Sequence, residues 1–245
     1  MNKKILITWW MSGLWWEMVN DAISRWYSVD ILDISPWKID LENINKSIKY
    51  IDFDITKFNK NHINNNLSIY DIVICNAGIS ISGDFLELDF DAEKRVFDVN
   101  ILWHIQLIKI LLQEWKIHTG GRIWFTVSAS ELLPFPIALS YAGSKWAMSS
   151  FANALRSYLY NQKIKVSCIY PGPMDTPHVK YYWKKQQSED NTKVEKIAKK
   201  SLDWIIKGKR NIYPDLTSTL LNKTQFLSPL LDRVMYNTYK EKFKI

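Results

Sequence analysis

Tyr141 and Lys145 stand four residues apart in a segment with helical periodicity, and together they could exchange a proton with a substrate. Side chains at this spacing share one face of a helix. A free tyrosine has a pKa of about 10, and a neighbouring ammonium lowers it because it favours the phenolate. Such a phenol can give a proton to a carbonyl oxygen or take one from an alcohol. A tyrosine packed in the core beside a surface lysine would produce the same spacing.

Two polar residues upstream strengthen the chemical interpretation. Ser128 ends an apolar strand 13 residues before Tyr141, where its hydroxyl could hold a reacting oxygen against the phenol. Alternatively, it caps the turn that follows the strand. Asn100 interrupts the apolar stripe of a long helix, and a buried amide needs hydrogen-bond partners. It either satisfies a kink in the helix or holds a water in a proton relay.

The elements that must position these residues alternate between strands and helices. Short apolar runs predict strands at 4–8, 29–33, 48–54, 71–75, 122–128, 164–170 and 210–213, and longer periodic segments predict helices at 13–25, 91–115, 140–162, 191–207 and 216–234. Repeated βα units with continuously apolar strands indicate a parallel sheet covered on both faces, with ligands at the carboxyl ends of its strands. We therefore predict a doubly wound, three-layer α/β fold in a single domain over residues 1–245.

The order and spacing of Asn100, Ser128, Tyr141 and Lys145 resemble the catalytic set of the short-chain dehydrogenase/reductase family. The resemblance covers roughly residues 3–176. It implies a Rossmann-type fold and hydride transfer between a nicotinamide dinucleotide and a small-molecule carbonyl or alcohol. Tyr141 is then the general acid or base, and Lys145 lowers its pKa and holds the nicotinamide ribose. Ser128 orients the substrate oxygen, and Asn100 supports a water relay to Lys145.

The same resemblance assigns a dinucleotide site. The residues it implies for cofactor binding are Thr8, Trp9, Ser12, Gly13, Leu14, Asp33, Asp54, Ile55, Asn76, Ala77, Gly78, Tyr141, Lys145, Pro171, Gly172, Met174 and Thr176. Asp33 ends the second strand, where a carboxylate accepts from the adenosine ribose hydroxyls and repels a 2′-phosphate. Because Ser12 also stands in place of a basic residue, we expect NAD to be preferred over NADP. Asp33 could instead be a simple turn or cap residue.

The phosphate turn departs from the family pattern Thr-Gly-x-x-x-Gly-x-Gly. It reads Thr8-Trp9-Trp10-Met11-Ser12-Gly13-Leu14-Trp15, so Gly13 is the one family glycine present. We expect an indole at position 9 or 15 to fill the space where backbone approaches the pyrophosphate. Tryptophan also replaces the family's common glycine at positions 26, 103 and 146, and the chain holds 12 tryptophans but 8 glycines. Either the host reads UGA codons as glycine, or the substitutions are real and the protein is a pseudoenzyme.

Composition narrows the remaining classes. No uninterrupted apolar run reaches the roughly 18 residues of a membrane span, and the N-terminus passes into a strand without a signal peptide. Cys75 and Cys168 lie in apolar runs without metal-ligand spacing, so we expect buried free thiols, no metal site and a cytoplasmic protein. Much of the net charge of +7 comes from lysine and arginine residues near the C-terminus. We expect a solvated helix face and no nucleic-acid partner, with binding to nucleic acid or a membrane surface as the alternative.

The last part of the chain, 177–245, is expected to supply a substrate lid and C-terminal helices. The resemblance implies a homodimer or homotetramer formed through the two long helices, 91–115 and 140–162. Three alternatives stay open on the same residues. The protein could be a non-catalytic dinucleotide-binding or interaction protein, an extended family member acting on nucleotide-sugars, or a protein that associates with membrane surfaces.

Overall fold

The computed structural model describes residues 3–8, 14–33, 45–53, 66–172 and 191–242. Its seven strands are β1 Lys4–Thr8, β2 Ser28–Asp33, β3 Ile48–Asp52, β4 Tyr70–Cys75, β5 Ile117–Thr126, β6 Lys165–Ile169 and β7 Asn211–Ile212. They form one parallel sheet in the order β3-β2-β1-β4-β5-β6-β7. The order reverses between β1 and β4, where doubly wound sheets bind ligands at the carboxyl ends of their strands.

Helices cover both faces of the sheet. They are α1 Leu14–Ser24, α2 Phe90–Phe97, α3 Trp103–Gln113, α4 Leu139–Tyr158, α5 Asn191–Ile206, α6 Leu216–Thr224 and α7 Ser228–Tyr239. A five-residue π-helical segment, Asp98–Leu102, joins α2 to α3. The predicted helix at 91–115 is therefore one long helix with a widened turn in its middle.

The strands alternate their side chains between two cores, as a pleated sheet requires. Phe125 of β5 lies in the core beneath α3 and α4, together with Val73 and Leu107. Its neighbour Trp124 lies in the core on the opposite face, beneath α1 and α5. Two helical layers thus enclose one sheet, and the predicted three-layer, doubly wound fold is confirmed.

One described helix, Phe90–Gln113, is long and apolar enough in composition to cross a membrane. The expectation from uninterrupted apolar runs missed it, because polar residues are scattered along a segment whose mean hydropathy still reaches 1.2. Within the fold, 56% of its most apolar window is buried. Leu107, Ile108 and Leu111 pack in the core against the sheet, which is the position of a core helix.

The two cysteines behave as predicted. Cys75 at the end of β4 and Cys168 in β6 are both buried free thiols. Burial raises the pKa of Cys168 to about 11 and that of Cys75 still further. Neither thiol is therefore set up as a nucleophile at neutral pH.

Candidate active site

Tyr141 and Lys145 lie on the first two turns of α4 and meet at the carboxyl end of β5. The Lys145 ammonium nitrogen is 5.6 Å from the centre of the Tyr141 ring. It donates a hydrogen bond of 3.0 Å to the Thr126 carbonyl oxygen, at the last residue of β5. Lys145 is buried, whereas Tyr141 is half-buried. The structure therefore brings the predicted phenol and ammonium together, with the phenol on the more accessible side.

Burial shapes the charge of Lys145. Loss of solvent around the ammonium lowers the pKa of Lys145 from 10.5 to about 8. The side chain still carries its proton at neutral pH, but it does so in a site that discourages the charge. A cation held in this way attracts negative charge that forms beside it more strongly than an ammonium in water would. It can therefore support a phenolate on Tyr141.

Gly78, in the turn after β4, makes room for two of the predicted side chains. A Cβ at this position would lie 3.1 Å from Asn100 Oδ1 and 3.2 Å from Lys145 Nζ. Both polar atoms thus lie close to the backbone of the turn, in the space that a side chain at position 78 would need. A residue with a side chain here would push one of them aside, so the predicted cofactor residue Gly78 also serves the Asn100 and Lys145 positions.

Asn100 sits inside the π-helical segment and is fully buried. Its Oδ1 accepts the Ile79 N–H at 2.8 Å, and its Nδ2 donates to the Ile79 carbonyl at 2.9 Å. Nδ2 also donates to Ser144 Oγ at 2.9 Å. The side chain therefore joins the turn after β4 to α4. Such π-helical turns frequently mark functional sites, and the predicted water relay stays a prediction.

Ser144 belongs to this cluster although the sequence did not single it out. It is fully buried, and its hydroxyl donates to the Tyr141 carbonyl at 2.7 Å while it accepts from Asn100. The bond to a carbonyl three residues back ties the hydroxyl to the turn that carries Tyr141. The sequence shows Ser144 next to Lys145, but a serine within a helix has no distinctive pattern that would mark it as a functional residue.

Ser128 lies two residues beyond the end of β5, not within the strand as predicted. The backbone here runs along the end of β6, since the Ala129 N–H donates to the Pro171 carbonyl at 2.9 Å. The Ser128 hydroxyl accepts the Ser130 N–H at 3.1 Å and begins a short 3₁₀ turn, Ala129–Leu132. The capping alternative is therefore realised. The bond from the Ser130 N–H uses one of the two acceptor sites of the Ser128 hydroxyl. The hydroxyl proton is left for a substrate oxygen, and the predicted substrate contact stays a prediction.

Thr8 joins the two strands on either side of the reversal in strand order. It is buried, and its Oγ1 accepts the N–H groups of Asn76 at 2.9 Å and Ala77 at 3.1 Å. The end of β1 and the turn after β4 are thereby fixed to one another. Thr8, Asn76 and Ala77 thus lie together at the predicted dinucleotide site, where the Thr8 hydroxyl holds backbone.

Asp33 lies at the carboxyl end of β2, beside β1, and is buried. Its carbonyl oxygen accepts the Phe53 N–H at 2.9 Å and the Tyr50 hydroxyl at 3.2 Å. These bonds fix the strand end that carries the carboxylate. Asp33 therefore lies next to the end of β1, and its role in cofactor choice stays a prediction.

The start of α1 corrects one expectation. Leu14 is fully buried, so its side chain belongs to the core and its backbone alone could approach a cofactor. The Trp15 indole packs in the core at 5.6 Å from the Trp124 ring. The prediction that an indole at position 15 fills the pyrophosphate space is wrong, because the helix turns this side chain towards the sheet.

Gly172, after β6, is held against the start of α6. Its N–H donates to Asp215 Oδ2 at 2.8 Å, and a Cβ at Gly172 would lie 2.7 Å from Asp215 Oδ1. Asp215 also caps α6 by accepting the Ser218 N–H at 2.8 Å. An aspartate before an apolar helical stretch is a known capping signal, so the sequence could have indicated this residue.

The remaining predicted residues lie outside the described part of the chain. These are Trp9, Ser12, Gly13, Asp54, Ile55, Met174, Thr176 and the lid segment up to residue 190. Among the residues that the structure does describe, no group of three or more His, Cys, Asp or Glu side chains could hold a metal ion.

A sequence profile of the short chain dehydrogenase family matches residues 3–187, well over half of the chain. The chain belongs to the short chain dehydrogenase family. One member, the dehydrogenase/reductase SDR family protein 7-like of Drosophila melanogaster, is 35% identical over 113 residues, covering 45% of this chain and 35% of that protein. The chain spans about a third of the length of the curated relatives it matches.

Solved structures of short chain dehydrogenases share the fold. A Burkholderia phymatum enzyme in complex with NAD superposes with a TM-score of 0.74 and 17% identity, over 92% of this chain and 95% of that one. A Burkholderia cenocepacia enzyme in complex with NADP gives a TM-score of 0.76 and 17% identity, over 97% of both chains. At such low identity the likeness concerns architecture alone.

Proposed function

We propose that this short chain dehydrogenase is an NAD(P)-dependent oxidoreductase that acts on a small-molecule alcohol or carbonyl. The proposal is carried by one observation, the Tyr141 phenol held beside the buried Lys145 ammonium at the carboxyl end of β5. Membership of the family supports it. The non-catalytic alternative has no comparable support, because a pure binding protein has no use for a phenol and an ammonium held in this way.

The described residues fit a dinucleotide along the carboxyl ends of the strands. The Gly78 turn has no side chain where Asn100 and Lys145 approach it, and Thr8 fixes the neighbouring strand ends. Asp33 would hold the adenosine ribose, the backbone of 76–78 would line the middle of the cofactor, and Lys145 would hold the nicotinamide ribose. When bound, the nicotinamide supplies or accepts the hydride.

The chain's own residues supply the proton and orient the substrate. Tyr141 gives its hydroxyl proton to the carbonyl oxygen during reduction and takes a proton from the alcohol during oxidation. Lys145 stabilises the phenolate by charge, and its bond to the Thr126 carbonyl holds it in place. The Ser128 hydroxyl donates to the reacting oxygen, and Asn100 keeps the turn after β4 against α4.

Turnover of a panel of alcohols and carbonyls with NAD and NADP tests this function. We expect reduced nicotinamide to form or disappear only with one substrate class and only when Tyr141 is present. NAD binding without turnover of any substrate by the wild-type chain would favour the non-catalytic alternative.

We further propose that NAD is preferred over NADP. The support is Asp33, a buried carboxylate at the end of β2 whose charge would repel a 2′-phosphate. Solved relatives in the family hold either cofactor, so this residue carries the proposal. Asp33→Asn should narrow the ratio of the two dissociation constants, whereas an unchanged ratio would assign cofactor choice to another residue.

We propose that several tryptophans of this chain are glycine in the native protein. Three helices, α1, α3 and α5, end in the same way, with the residue after the cap bonded to the carbonyl three positions back at 2.9, 3.3 and 2.7 Å. The next N–H reaches five positions back, at 3.1, 2.8 and 2.9 Å. This Schellman arrangement needs a left-handed residue, for which glycine is strongly favoured.

At α5 that left-handed residue is Gly208, with φ of 71°. At α1 and α3 it is Trp26, with φ of 66°, and Trp115, with φ of 53°. The left-handed conformation costs a residue with a side chain about 1 to 2 kcal/mol. Both indoles are more than 80% exposed, so packing offers little in return. UGA codons read as glycine would remove this cost and restore glycine at positions 9 and 15.

Intact-mass spectrometry of the protein from its own host tests this recoding. Each exchange lowers the mass by one indolylmethyl group, and peptide mapping then locates the sites. We expect glycine at least at positions 9, 15, 26 and 115. A mass that agrees with 12 tryptophans would rule the recoding out and leave the pseudoenzyme explanation.

We also propose that the protein assembles through the outer faces of α2, α3 and α4. Phe90, Phe97 and Trp146 are exposed on these helices, and Leu102 is exposed in the π-helical segment that joins α2 to α3. Large exposed apolar side chains favour a partner surface. Sedimentation velocity should show a dimer or tetramer that Leu102→Glu dissociates. A monomeric wild-type chain would contradict the assembly.

A further inference from the structure

His104 is a buried histidine in the first turn of α3. It lies between Thr8, at the dinucleotide end of the candidate site, and Asn100, at its catalytic end. It is 2% exposed. Its Nε2 lies 3.1 Å from Thr8 Oγ1, and its Nδ1 lies 3.2 Å from the Asn100 carbonyl oxygen. One imidazole therefore contacts both the residue that ends β1 and the residue in the π-helical segment.

One protonation state satisfies every contact of this ring. The two lone pairs of Thr8 Oγ1 accept the N–H groups of Asn76 and Ala77, so the hydroxyl proton is left to point at His104 Nε2. The other acceptor near that hydroxyl, the Ile74 carbonyl, is farther away at 3.5 Å. The Asn100 carbonyl can only accept. His104 is therefore neutral, with its proton on Nδ1.

The surroundings favour the same neutral state. Burial lowers the pKa of His104 more than the hydrogen bond to the Asn100 carbonyl raises it, and with the added charge of Lys145 the pKa falls to about 4. A protonated ring would place an N–H against a Thr8 oxygen whose lone pairs are already used. The ring thus keeps one fixed orientation, with a donor towards Asn100 and an acceptor towards Thr8.

The contact with Asn100 lies where the helix is irregular. In an α-helix each carbonyl bonds to the N–H four residues on, but in this segment the Trp103 N–H reaches the Asp98 carbonyl, five residues back. The imidazole, four residues after Asn100, lies against the carbonyl of the central residue of the widened turn. It can hold that turn in the shape that directs the Asn100 amide to Ile79 and Ser144.

We propose that His104 is a positioning residue that couples the dinucleotide end of the site to its catalytic end. Through Thr8 it fixes the strand ends at the cofactor, and through the Asn100 carbonyl it fixes the amide beside Lys145. This inference rests on the proposed oxidoreductase function. It predicts that the two hydrogen bonds of the ring act on different properties, cofactor affinity and turnover.

Two conservative variants separate the two bonds. The amide of His104→Gln can reach towards Thr8, whereas the shorter amide of His104→Asn can reach towards the Asn100 carbonyl. We expect His104→Gln to keep the dissociation constant for NAD within about threefold and lose kcat about tenfold. We expect His104→Asn to show the reverse. His104→Leu, which can make neither bond, should show both losses.

Ile108→Ala is the matched control, because Ile108 is equally buried one turn further along α3. It should lower the thermal stability of the full chain but leave NAD affinity and kcat unchanged at a temperature well below unfolding. If the three His104 variants behave like this control, His104 is a core residue only and the proposal is overturned. A wild-type chain that neither binds nor turns over NAD would instead contradict the proposed function.

Nuclear magnetic resonance of the wild-type chain with ¹⁵N-labelled histidine gives a test that needs no cofactor. The two ring nitrogens of a neutral imidazole have well-separated shifts, so the protonated one can be identified. At pH 6 we expect His104 to be neutral and protonated on Nδ1. A proton on Nε2, or a charged ring, would remove the hydrogen-bond pattern on which the coupling depends.

Discussion

The two ends of the site differ in what their sequence must supply. At the catalytic end, Asn100 and Lys145 form hydrogen bonds with partners from other elements, and Ser144 bonds both to Asn100 and to Tyr141 in its own helix. At the phosphate turn, the family relies on glycines, whose value lies in the absence of a side chain. The first end keeps the family's residues, whereas the second has lost two of three glycines to tryptophan. At the catalytic end, the mutual hydrogen bonds require particular side chains. At the phosphate turn, the backbone requires only that no side chain be present.

The comparison is sharpest for Tyr141, which serves the catalytic end alone. Tyr141→Phe removes the hydroxyl that transfers the proton and keeps the ring beside Lys145. We expect kcat to fall by about a thousandfold, within the range that general acid–base groups contribute. The dissociation constant for NAD, measured by calorimetry, should stay within about threefold. Residual turnover within tenfold of the wild type would mean that another group carries the proton.

His104 connects the two ends, and its neutrality should appear in the pH dependence of stability. The unfolded chain takes up a proton on this histidine below about pH 6.5, whereas the folded chain resists until about pH 4. Unfolding therefore becomes easier as the pH falls through this window, and the contribution is fully present above it. Over the whole window it amounts to about 3 kcal/mol.

Urea unfolding at a series of pH values between 7 and 4 measures this effect. His104→Gln should flatten the dependence relative to the wild type, because glutamine has no proton to take up. Carboxylates titrate in both proteins and cancel in the difference, and Lys145 titrates near 8, outside the window. Parallel curves for the two proteins would show that His104 takes up its proton in the folded chain over the same pH range as in the unfolded chain.

Restoring glycine at the phosphate turn should act on the other end. We expect Trp9→Gly to tighten NAD binding by about tenfold or more, or roughly 1.4 kcal/mol, whereas Trp15 is left in place because its indole packs in the core. The reason is that backbone and the start of α1 could then approach the pyrophosphate. Trp115→Gly, at the far end of α3, is the control and should leave NAD affinity unchanged. Unchanged or weaker binding by Trp9→Gly would mean that the indole at position 9 does not occupy the space that the pyrophosphate needs.

The smallest effect concerns the helix ends. Trp26→Gly and Trp115→Gly should each stabilise the fold by about 1 kcal/mol, because they relieve a left-handed side-chain residue at a Schellman position. Lys163→Gly provides a comparison, since Lys163 is also left-handed, with φ of 56°, but no codon question surrounds a lysine. Guanidinium unfolding would measure all three. Destabilisation by the tryptophan exchanges alone would show that the exposed indoles pack usefully.

Much of the fold could be predicted because each element buries apolar side chains with its own period. Every strand from β1 to β7 lies within a predicted apolar run or extends it by a few residues. The end of β5 was placed two residues late, because Val127 continues the apolar run and its N–H still bonds to Ile169, the last residue of β6. An apolar sequence pattern indicates which residues are buried, but it does not show where the hydrogen bonds between two strands end.

The site was harder to predict wherever a role depends on a distant partner. Ser144 and His104 have ordinary local patterns, and their importance arises from Asn100 and Thr8. The same limitation affected Trp15, because the sequence showed a missing glycine but not the direction in which the helix turns the indole. Motifs singled out the four candidate catalytic residues, whereas tertiary contacts showed which other residues hold Asn100 and Lys145 in place.

The bond between Gly172 and Asp215 has a consequence for building hybrid enzymes. The segment that follows Gly172 leads towards the part of the chain expected to select the substrate, and its starting point is clamped by the residue that begins α6. A donor segment spliced in after residue 172 would therefore need to bring its own aspartate at the equivalent of 215. Without it, the graft would lose the hydrogen bond that fixes the backbone of Gly172.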